Sequence, residues 1–129
     1  MSAVNSSERR NLIRKTWAKE QTDLPVEIIF VIGKNELEEN QDLIEKEANE
    51  YHDILQEDFI DTYNNLTLKS MFILKFARKL DFMKYLMKVD DDSYVNLKRL
   101  SEYMAVLDRS CRTNCIIGRD FEKFSDPNN

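Results

Sequence analysis

The chain has 129 residues, enough for one domain with its own core and near the lower limit for an enzyme with two substrates. Its hydrophobic content of 42% and charged content of 33% are typical of globular proteins, and a net charge of −5 gives no reason to expect nucleic acid as a partner. The longest apolar runs, residues 28–32 and 71–74, are far shorter than the roughly 20 residues that span a bilayer.

The first half of the chain predicts helices alternating with strands. Residues 9–17 suit a short helix, with Trp17 as a core anchor. Residues 26–32 are rich in β-branched side chains and predict a buried strand that Gly33 ends. Residues 36–51 predict a charged amphipathic helix, and residues 52–56 a second strand.

The second half continues this alternation after an acidic loop at residues 57–61. Residues 66–80 are apolar nearly all round, which predicts a helix in the interior of the domain. Residues 85–89 predict a third strand, residues 96 onward a helix, and residues 115–118 a fourth strand. The predicted inner stripe of the last helix is Leu97, Leu100, Met104 and Leu107.

Three consecutive carboxylates, Asp90 to Asp92, follow the predicted third strand directly. Strands alternating with helices predict an α/β fold with a mainly parallel sheet, in which ligands bind beyond the carboxyl ends of the strands. With only two glycines in the chain there is no glycine-rich phosphate loop, so a phosphate ligand would need a metal ion to hold it.

The spacing of these carboxylates suits a hard cation. In extended backbone Asp90 and Asp92 share one face with Cα atoms about 6.6 Å apart, and Asp91 faces away. Oxygen ligands favour Mg²⁺, Mn²⁺ or Ca²⁺ over zinc. The alternative is an exposed acidic turn, or the N-cap of the next helix, with no ligand.

Other charged residues have structural interpretations beside functional ones. His52 is more simply a structural residue than a metal ligand, because it lies on a different predicted element from the carboxylates and precedes the end of its strand. Arg9, Arg10 and Arg14 could form an anion clamp, but surface charges on a short helix are the simpler interpretation. Lys69 lies among apolar residues and is expected to pair with a phosphate or with a strand-end carboxylate.

Three ordered motifs closely resemble the β-1,3-galactosyltransferase family, glycosyltransferase family 31. They are Arg10-x-x-Ile13-Arg14-x-Thr16-Trp17, the stretch from Glu47 through Tyr51-x-Asp53-Ile54-Leu55-Gln56 to Asn65-Leu66-Thr67-Leu68-Lys69, and Lys88-x-Asp90-Asp91-Asp92-x-x-Val95-Asn96. The resemblance covers about residues 2–120. It implies a GT-A fold, Rossmann-like with flanking helices, together with a UDP-sugar donor, Mn²⁺ and inverting β-1,3 transfer of galactose or an N-acetylhexosamine to a glycan acceptor on a glycoprotein or glycolipid.

The resemblance also implies roles for individual residues. Asp92, with Asp90, would ligate the metal ion, while Asp90 and Asp91 would help to hold the ribose and the water shell of the metal. The other positions expected near the donor nucleotide are Arg14, Glu47, Asp53 and Lys69.

The family resemblance sets further expectations for the whole chain. It implies the lumenal side of the Golgi membrane, with the membrane anchor outside this chain, and glycosylation at Asn5 or Asn65 stays open. Compared with the family, residues 1–129 are expected to be a partial catalytic domain, the nucleotide-sugar-binding half, incomplete at both ends. No residue can be assigned as catalytic base, so the chain is expected to be inactive alone. The alternative is a non-catalytic module that binds metal and nucleotide.

Overall fold

The computed structural model describes residues 1–19, 25–35 and 41–110, and residue 117. Within these residues the protein has an α/β arrangement of a small parallel sheet and four α-helices. The helices are α1 (Ser7–Lys15), α2 (Gln41–Tyr51), α3 (Leu66–Ala77) and α4 (Leu97–Ser110), and the strands are β1 (Phe30–Lys34) and β2 (Ile54–Ile60). Short 3₁₀ turns occupy Trp17–Lys19 and Tyr63–Asn65.

The two strands pair in parallel and are connected through α2. Phe30 lies opposite Ile54, and the register shifts between Ile32 and Lys34, where the strand passes through Gly33. Gly33 is tightly enclosed: a Cβ at this position would lie 2.6 Å from the carbonyl oxygen of Phe59. The absence of a side chain therefore lets the carboxyl end of β1 approach β2 closely.

The core of the described residues contains two apolar clusters, each of which includes a residue of β1. One cluster is built from Ile13, Trp17, Phe30, Val95 and Leu97, and it confirms the prediction that Trp17 is a core anchor. The other is built from Val4, Ile32 and Ile44. Ile54 packs against both clusters, so the start of β2 links the two halves of the core.

Several predicted boundaries were wrong. The first strand begins at Phe30 and continues past Gly33 to Lys34, whereas residues 25–29 lie outside it. Most of the predicted acidic loop at 57–61 belongs to β2, in which Asp58 is exposed while Glu57 and Phe59 are half-buried. The predicted helix at 36–51 has its described part at Gln41–Tyr51.

Residues 85–89, the predicted third strand, form no strand in the described part of the chain. The first residues of the chain lie between this segment and β1: the Ser2 amide donates to the Val31 carbonyl, and the Met1 amino group donates to the Val89 carbonyl. In the described residues the Met1 amino group thus joins this segment to the start of the chain, and no strand ladder forms there.

The last two helices differ in how well their predictions hold. In α4 the predicted stripe is the less exposed side of the helix, with Leu97 fully buried. Other described residues pack against one side of α3 only. Lys69 and Ile73 on that side are buried, whereas Leu68, Met71 and Leu74 are about half exposed. The predicted interior helix is thus packed on one face. Residues 111–116 and 118, which include both cysteines and most of the predicted fourth strand, lie outside the described part of the chain.

Candidate functional site

An open cleft of about 470 Å³ lies at the carboxyl end of the sheet. Its walls come from the first residues of the chain, the segment that follows β2, the start of α3 and the acidic turn. The charged side chains that line it are Asp61, Lys69, Lys88, Asp90 and Asp91. Three of the residues expected to bind the donor, Lys69, Asp90 and Asp91, are therefore brought together here.

The three carboxylates lie in a turn and not in extended backbone. The Ser93 amide donates to the Asp90 carbonyl at 3.2 Å, which leaves Asp91 and Asp92 as the central residues of the turn. Asp90 and Asp92 are exposed, whereas Asp91 is half-buried. The strand-like arrangement considered for these side chains was therefore wrong, because the chain reverses as soon as residue 89 is passed.

Asp91 is the carboxylate that the protein itself holds. The Ser2 hydroxyl donates to its Oδ2 at 2.7 Å, and Arg9 donates to its Oδ1 at 3.1 Å. Desolvation raises the pKa of Asp91, but these hydrogen bonds outweigh it and the pKa lies below the ordinary value. Asp91 is therefore ionised at neutral pH and directed toward the first residues of the chain.

Lys69 forms a buried ion pair with Asp61, the residue that follows β2. Its Nζ lies 2.7 Å from Asp61 Oδ1 and 2.8 Å from the Ser2 carbonyl oxygen, and the lysine is only 2% exposed. Asp61 also accepts from the Gly33 amide. The expectation of a carboxylate partner for Lys69 is confirmed, although the partner follows β2 and is not part of the acidic turn.

A second charged cluster joins α1, α2 and the start of β2. The Arg14 guanidinium donates twice to Asp53, at 2.7 Å each, and once to Glu47 at 2.8 Å. It also lies over two rings, 3.9 Å from the centroid of Tyr51 and 5.0 Å from that of Phe30. These contacts fix the end of α1 against its neighbours.

Arg10 extends this cluster toward the cleft. It is completely buried and donates to both carboxylate oxygens of Glu47 at 2.8 and 2.7 Å through two of its nitrogens. Its remaining bonds go to the Ser2 hydroxyl and to the carbonyls of Ala3 and Val4. The simpler interpretation of Arg10 as a surface charge was therefore wrong.

The electrostatics of this cluster follow from burial among opposite charges. Desolvation raises the pKa of Glu47, yet hydrogen bonds from Arg10 and Arg14 outweigh it and hold the pKa below the ordinary value. For Arg14, desolvation lowers the pKa, and the bonds to Asp53 and Glu47 raise it overall. Glu47 and Arg14 are thus both charged throughout the neutral range.

The expected donor-binding residues fall into two groups. Lys69, Asp90 and Asp91 line the cleft, with Asp92 beside it in the same turn. Arg14, Glu47 and Asp53 lie in the charged cluster and do not line the cleft. The two groups are nevertheless linked, because Arg10 donates to Glu47 and to the Ser2 hydroxyl, which in turn donates to Asp91.

Three residues outside the expected donor-binding set contribute to the site: Ser2 and Arg10 link the two groups, and Asp61 pairs with Lys69. Ser2 carried no signal, since a lone serine near the start of a chain has no pattern. Asp61 could have been found as the acid following a strand, had the strand been extended to residue 60. Arg10 lies within the first motif but was interpreted as a surface residue.

The described residues hold no group of three or more histidine, cysteine, aspartate or glutamate side chains arranged to cage a metal ion. His52 is exposed and has a φ of 53°, in the turn between α2 and β2. No described helix combines the length and the apolar character needed to cross a bilayer.

Comparisons with known proteins agree on one family. The profile of the Galactosyltransferase family matches residues 8–126. Beta-1,3-galactosyltransferase 1 of Homo sapiens is 38% identical over 96 residues, which is 72% of this chain and 29% of that protein. Lactosylceramide 1,3-N-acetyl-beta-D-glucosaminyltransferase of Rattus norvegicus is 34% identical over 119 residues, covering 84% of this chain and 31% of that protein.

The chain therefore spans about a third of the length of the curated relatives that it matches. The matched region nevertheless includes α1 from its second residue, both strands, the cleft residues of α3 and the acidic turn. The resemblance on which the sequence analysis relied is confirmed, and the chain belongs to the Galactosyltransferase family.

Proposed function

We propose that the cleft binds the diphosphate of a UDP-sugar together with a divalent cation, as the donor side of a β-1,3-hexosyltransferase. The observation that carries the proposal is the meeting of Lys69, Asp90 and Asp91 in one cleft, since all three lie in the motifs that match the family. The names of the relatives describe transfer of galactose or N-acetylglucosamine in a 1,3 linkage, which supports the same class of reaction.

The residues present fit a hard cation such as Mn²⁺ when a diphosphate completes its coordination. Asp90 and Asp92 supply exposed carboxylate oxygens, the ligand type that such cations prefer. Because no three-residue cage exists in the described part of the chain, the remaining ligands would come from phosphate oxygens and water. When bound, the cation would neutralise negative charge on the departing nucleotide.

The side chains of the cleft have separate tasks in this proposal. Lys69 has three N–H donors, of which Asp61 and Ser2 accept two, so one remains for a phosphate oxygen. Lys88 adds positive charge to the lining of the cleft. Asp90 and Asp92 hold the cation, and Asp91 is kept in place by the protein.

Arg14, Glu47 and Asp53 act indirectly in this proposal. Through Arg10 their cluster holds residues 2–4, of which Ser2 and Ala3 line the cleft. No described residue is assigned as the base that takes the proton of the acceptor hydroxyl. Residues 1–129 are proposed to be the nucleotide-sugar-binding part of a GT-A fold, acting on the lumenal side of the Golgi membrane with a glycan as acceptor.

Calorimetric titration of Mn²⁺ and UDP into the purified chain tests the donor site. We expect UDP to bind in the presence of Mn²⁺, and Asp90→Asn and Asp92→Asn each to weaken this binding at least tenfold. Asp58→Asn is the matched control, because it removes an exposed carboxylate of β2 that pairs with Lys34 and does not line the cleft. Equal affinity in all four proteins would refute the proposed site.

A transfer assay with UDP-galactose and UDP-N-acetylglucosamine separates enzyme from binding module. Mn²⁺-dependent UDP binding without transfer would match either the expected inactive partial domain or the non-catalytic alternative. The same assay on a longer polypeptide that contains residues 1–129 distinguishes these two. Transfer by the longer polypeptide, lost in Asp92→Asn, would establish the enzymatic role.

A further inference from the structure

Ser2 is a buried junction between three parts of the structure. It is 3% exposed, and its hydroxyl donates to Asp91 Oδ2 at 2.7 Å while accepting from Arg10 Nη1 at 3.1 Å. Its amide donates to the Val31 carbonyl at 3.3 Å, and its carbonyl accepts from Lys69 at 2.8 Å. Every polar group of this residue is therefore used, and these four partners lie eight or more positions away in sequence.

These bonds give the hydroxyl one orientation. The alternative acceptor for its single proton is the Ala3 carbonyl at 3.4 Å, a longer contact with a neutral group, whereas the Asp91 carboxylate is closer and charged. Arg10 donates a hydrogen bond to the hydroxyl oxygen and is itself held in place by Glu47. The proton of Ser2 is thus directed at the acidic turn.

Besides the Ser2 hydroxyl, the backbone of Ala3 also hydrogen-bonds Asp91, so the first residues of the chain hold this carboxylate. Arg9 also donates to it, but the side chain of Arg9 is 58% exposed, and exposed ion pairs hold a carboxylate weakly. Asp91 lies between Asp90 and Asp92 in the turn that Ser93 closes. The position of Asp91 therefore sets where the two neighbouring carboxylates point.

We propose that Ser2 is a positioning residue for the metal and diphosphate site: its buried hydroxyl, held by Arg10, anchors Asp91 and thereby orients Asp90 and Asp92 toward the cleft. This inference rests on the proposed function, since it assigns how the same site is organised. Residues that hold a metal ligand in place are known to affect metal affinity strongly although they do not touch the metal.

A double-mutant cycle on the 129-residue chain tests this role, with the affinity for UDP in saturating Mn²⁺ as the readout. We expect Ser2→Ala to weaken binding about tenfold, at the lower end of the effects seen for such supporting residues. Asp91→Ala should weaken binding by a similar factor. Because both changes break the same contact, Ser2→Ala should add little in the Asp91→Ala background.

Two controls separate positioning from loss of structure. Ser101→Ala removes a hydroxyl that bonds only the Lys98 carbonyl of its own helix, so it should leave the affinity unchanged. Ile44→Val loosens the second core cluster without touching any bond of Ser2, and a stability loss alone should not change the affinity. Thermal unfolding of each variant verifies folding. If Ser2→Ala is unfolded at the assay temperature, Ser2→Cys takes its place in the assay. The cysteine thiol keeps the volume of the side chain but is a weaker hydrogen-bond donor than the serine hydroxyl.

The outcomes are distinct. If the wild-type chain binds UDP with Mn²⁺ and Ser2→Ala binds equally well, the inference about Ser2 is overturned and the proposed function stands. If the effects of Ser2→Ala and Asp91→Ala multiply in the double variant, Ser2 does not act through Asp91 and the inference is also overturned. If the wild-type chain shows no Mn²⁺-dependent UDP binding, the proposed function fails and the inference fails with it.

Discussion

Replacing Gly33 with alanine should strain the junction between β1 and β2. The new Cβ would lie 2.6 Å from the Phe59 carbonyl oxygen, 2.8 Å from Phe59 Cε2 and 3.0 Å from the Asp61 Cβ. The ring of Phe59 can rotate, but the carbonyl belongs to the backbone of β2 and can move only with the strand. The end of β2 must therefore shift away from β1.

The magnitude follows from the kind of contact. Overpacking a buried site lowers stability by about 1–3 kcal/mol, and a contact with backbone places Gly33→Ala in the upper half of that range. For a chain of this size, about 2–3 kcal/mol lowers the melting temperature by about 10 °C. The shift would also lengthen the bond from the Gly33 amide to Asp61, so the affinity for UDP with Mn²⁺ should fall as well.

Thermal unfolding followed by circular dichroism measures the first effect and calorimetry the second. Lys34→Ala is the control at the next position, because its exposed ion pair with Asp58 contributes less than about 1 kcal/mol. Adding Phe59→Leu to Gly33→Ala removes the ring but leaves the carbonyl. An unchanged melting temperature in Gly33→Ala, or full recovery in the double variant, would refute the reasoning from the backbone contact.

Three further predictions concern the charged residues and the turn after α2. The pKa of Glu47 is below its ordinary value of 4.5, so its contribution to stability is present above pH 4.5 and is lost as the pH falls through the lower pKa of the folded state. Glu47→Gln should therefore be less stable than wild type at pH 7, and the difference should shrink toward pH 3. Urea unfolding that gives the same difference in stability at both pH values would contradict this. Lys69→Met leaves Asp61 buried without its cation and should lower the free energy of unfolding by about 3 kcal/mol. Adding Asp61→Asn should recover part of this loss in denaturant unfolding, whereas strictly additive losses would show that the two residues do not act as a pair. His52 has a φ of 53°, which glycine adopts without strain, so His52→Gly should raise stability by up to about 1 kcal/mol. The same change should leave the Mn²⁺-dependent affinity for UDP unchanged, and a loss of that affinity would indicate that His52 is a ligand.

Local pattern in the sequence predicted the local features of the fold. The spacing of Leu97, Leu100, Met104 and Leu107 identified the inner side of α4, and the single tryptophan was assigned to the core correctly. Both depend on helical periodicity, which is fixed by backbone geometry within a few turns. The extent of β2 was missed because the charged residues Glu57 and Asp58 are typical of a loop. A strand can nevertheless hold such residues, with a side chain such as that of Asp58 facing solvent.

The polar contacts of the site could not be read from the sequence in the same way. Arg10 and Glu47 are 37 positions apart, and Ser2 and Asp91 are 89 apart. Periodicity states which side of a helix is apolar, but it does not state which acid meets which base across the domain. The family motifs named Arg10, Glu47 and Lys69 without revealing that they are bonded to one another or to the backbone of residues 2–4.

The parallel pairing of β1 with β2 has a consequence for how the chain folds. Phe30 meets Ile54 only after the intervening residues have closed a loop, so no sheet hydrogen bond can form as a local hairpin. The chain loses conformational entropy when this loop closes, before the strand contacts that offset the loss can form. Folding is therefore slower than in proteins whose strands pair locally. A protease cut before α2 should therefore abolish refolding of the two strands in dilute solution, even where the nicked native protein holds together.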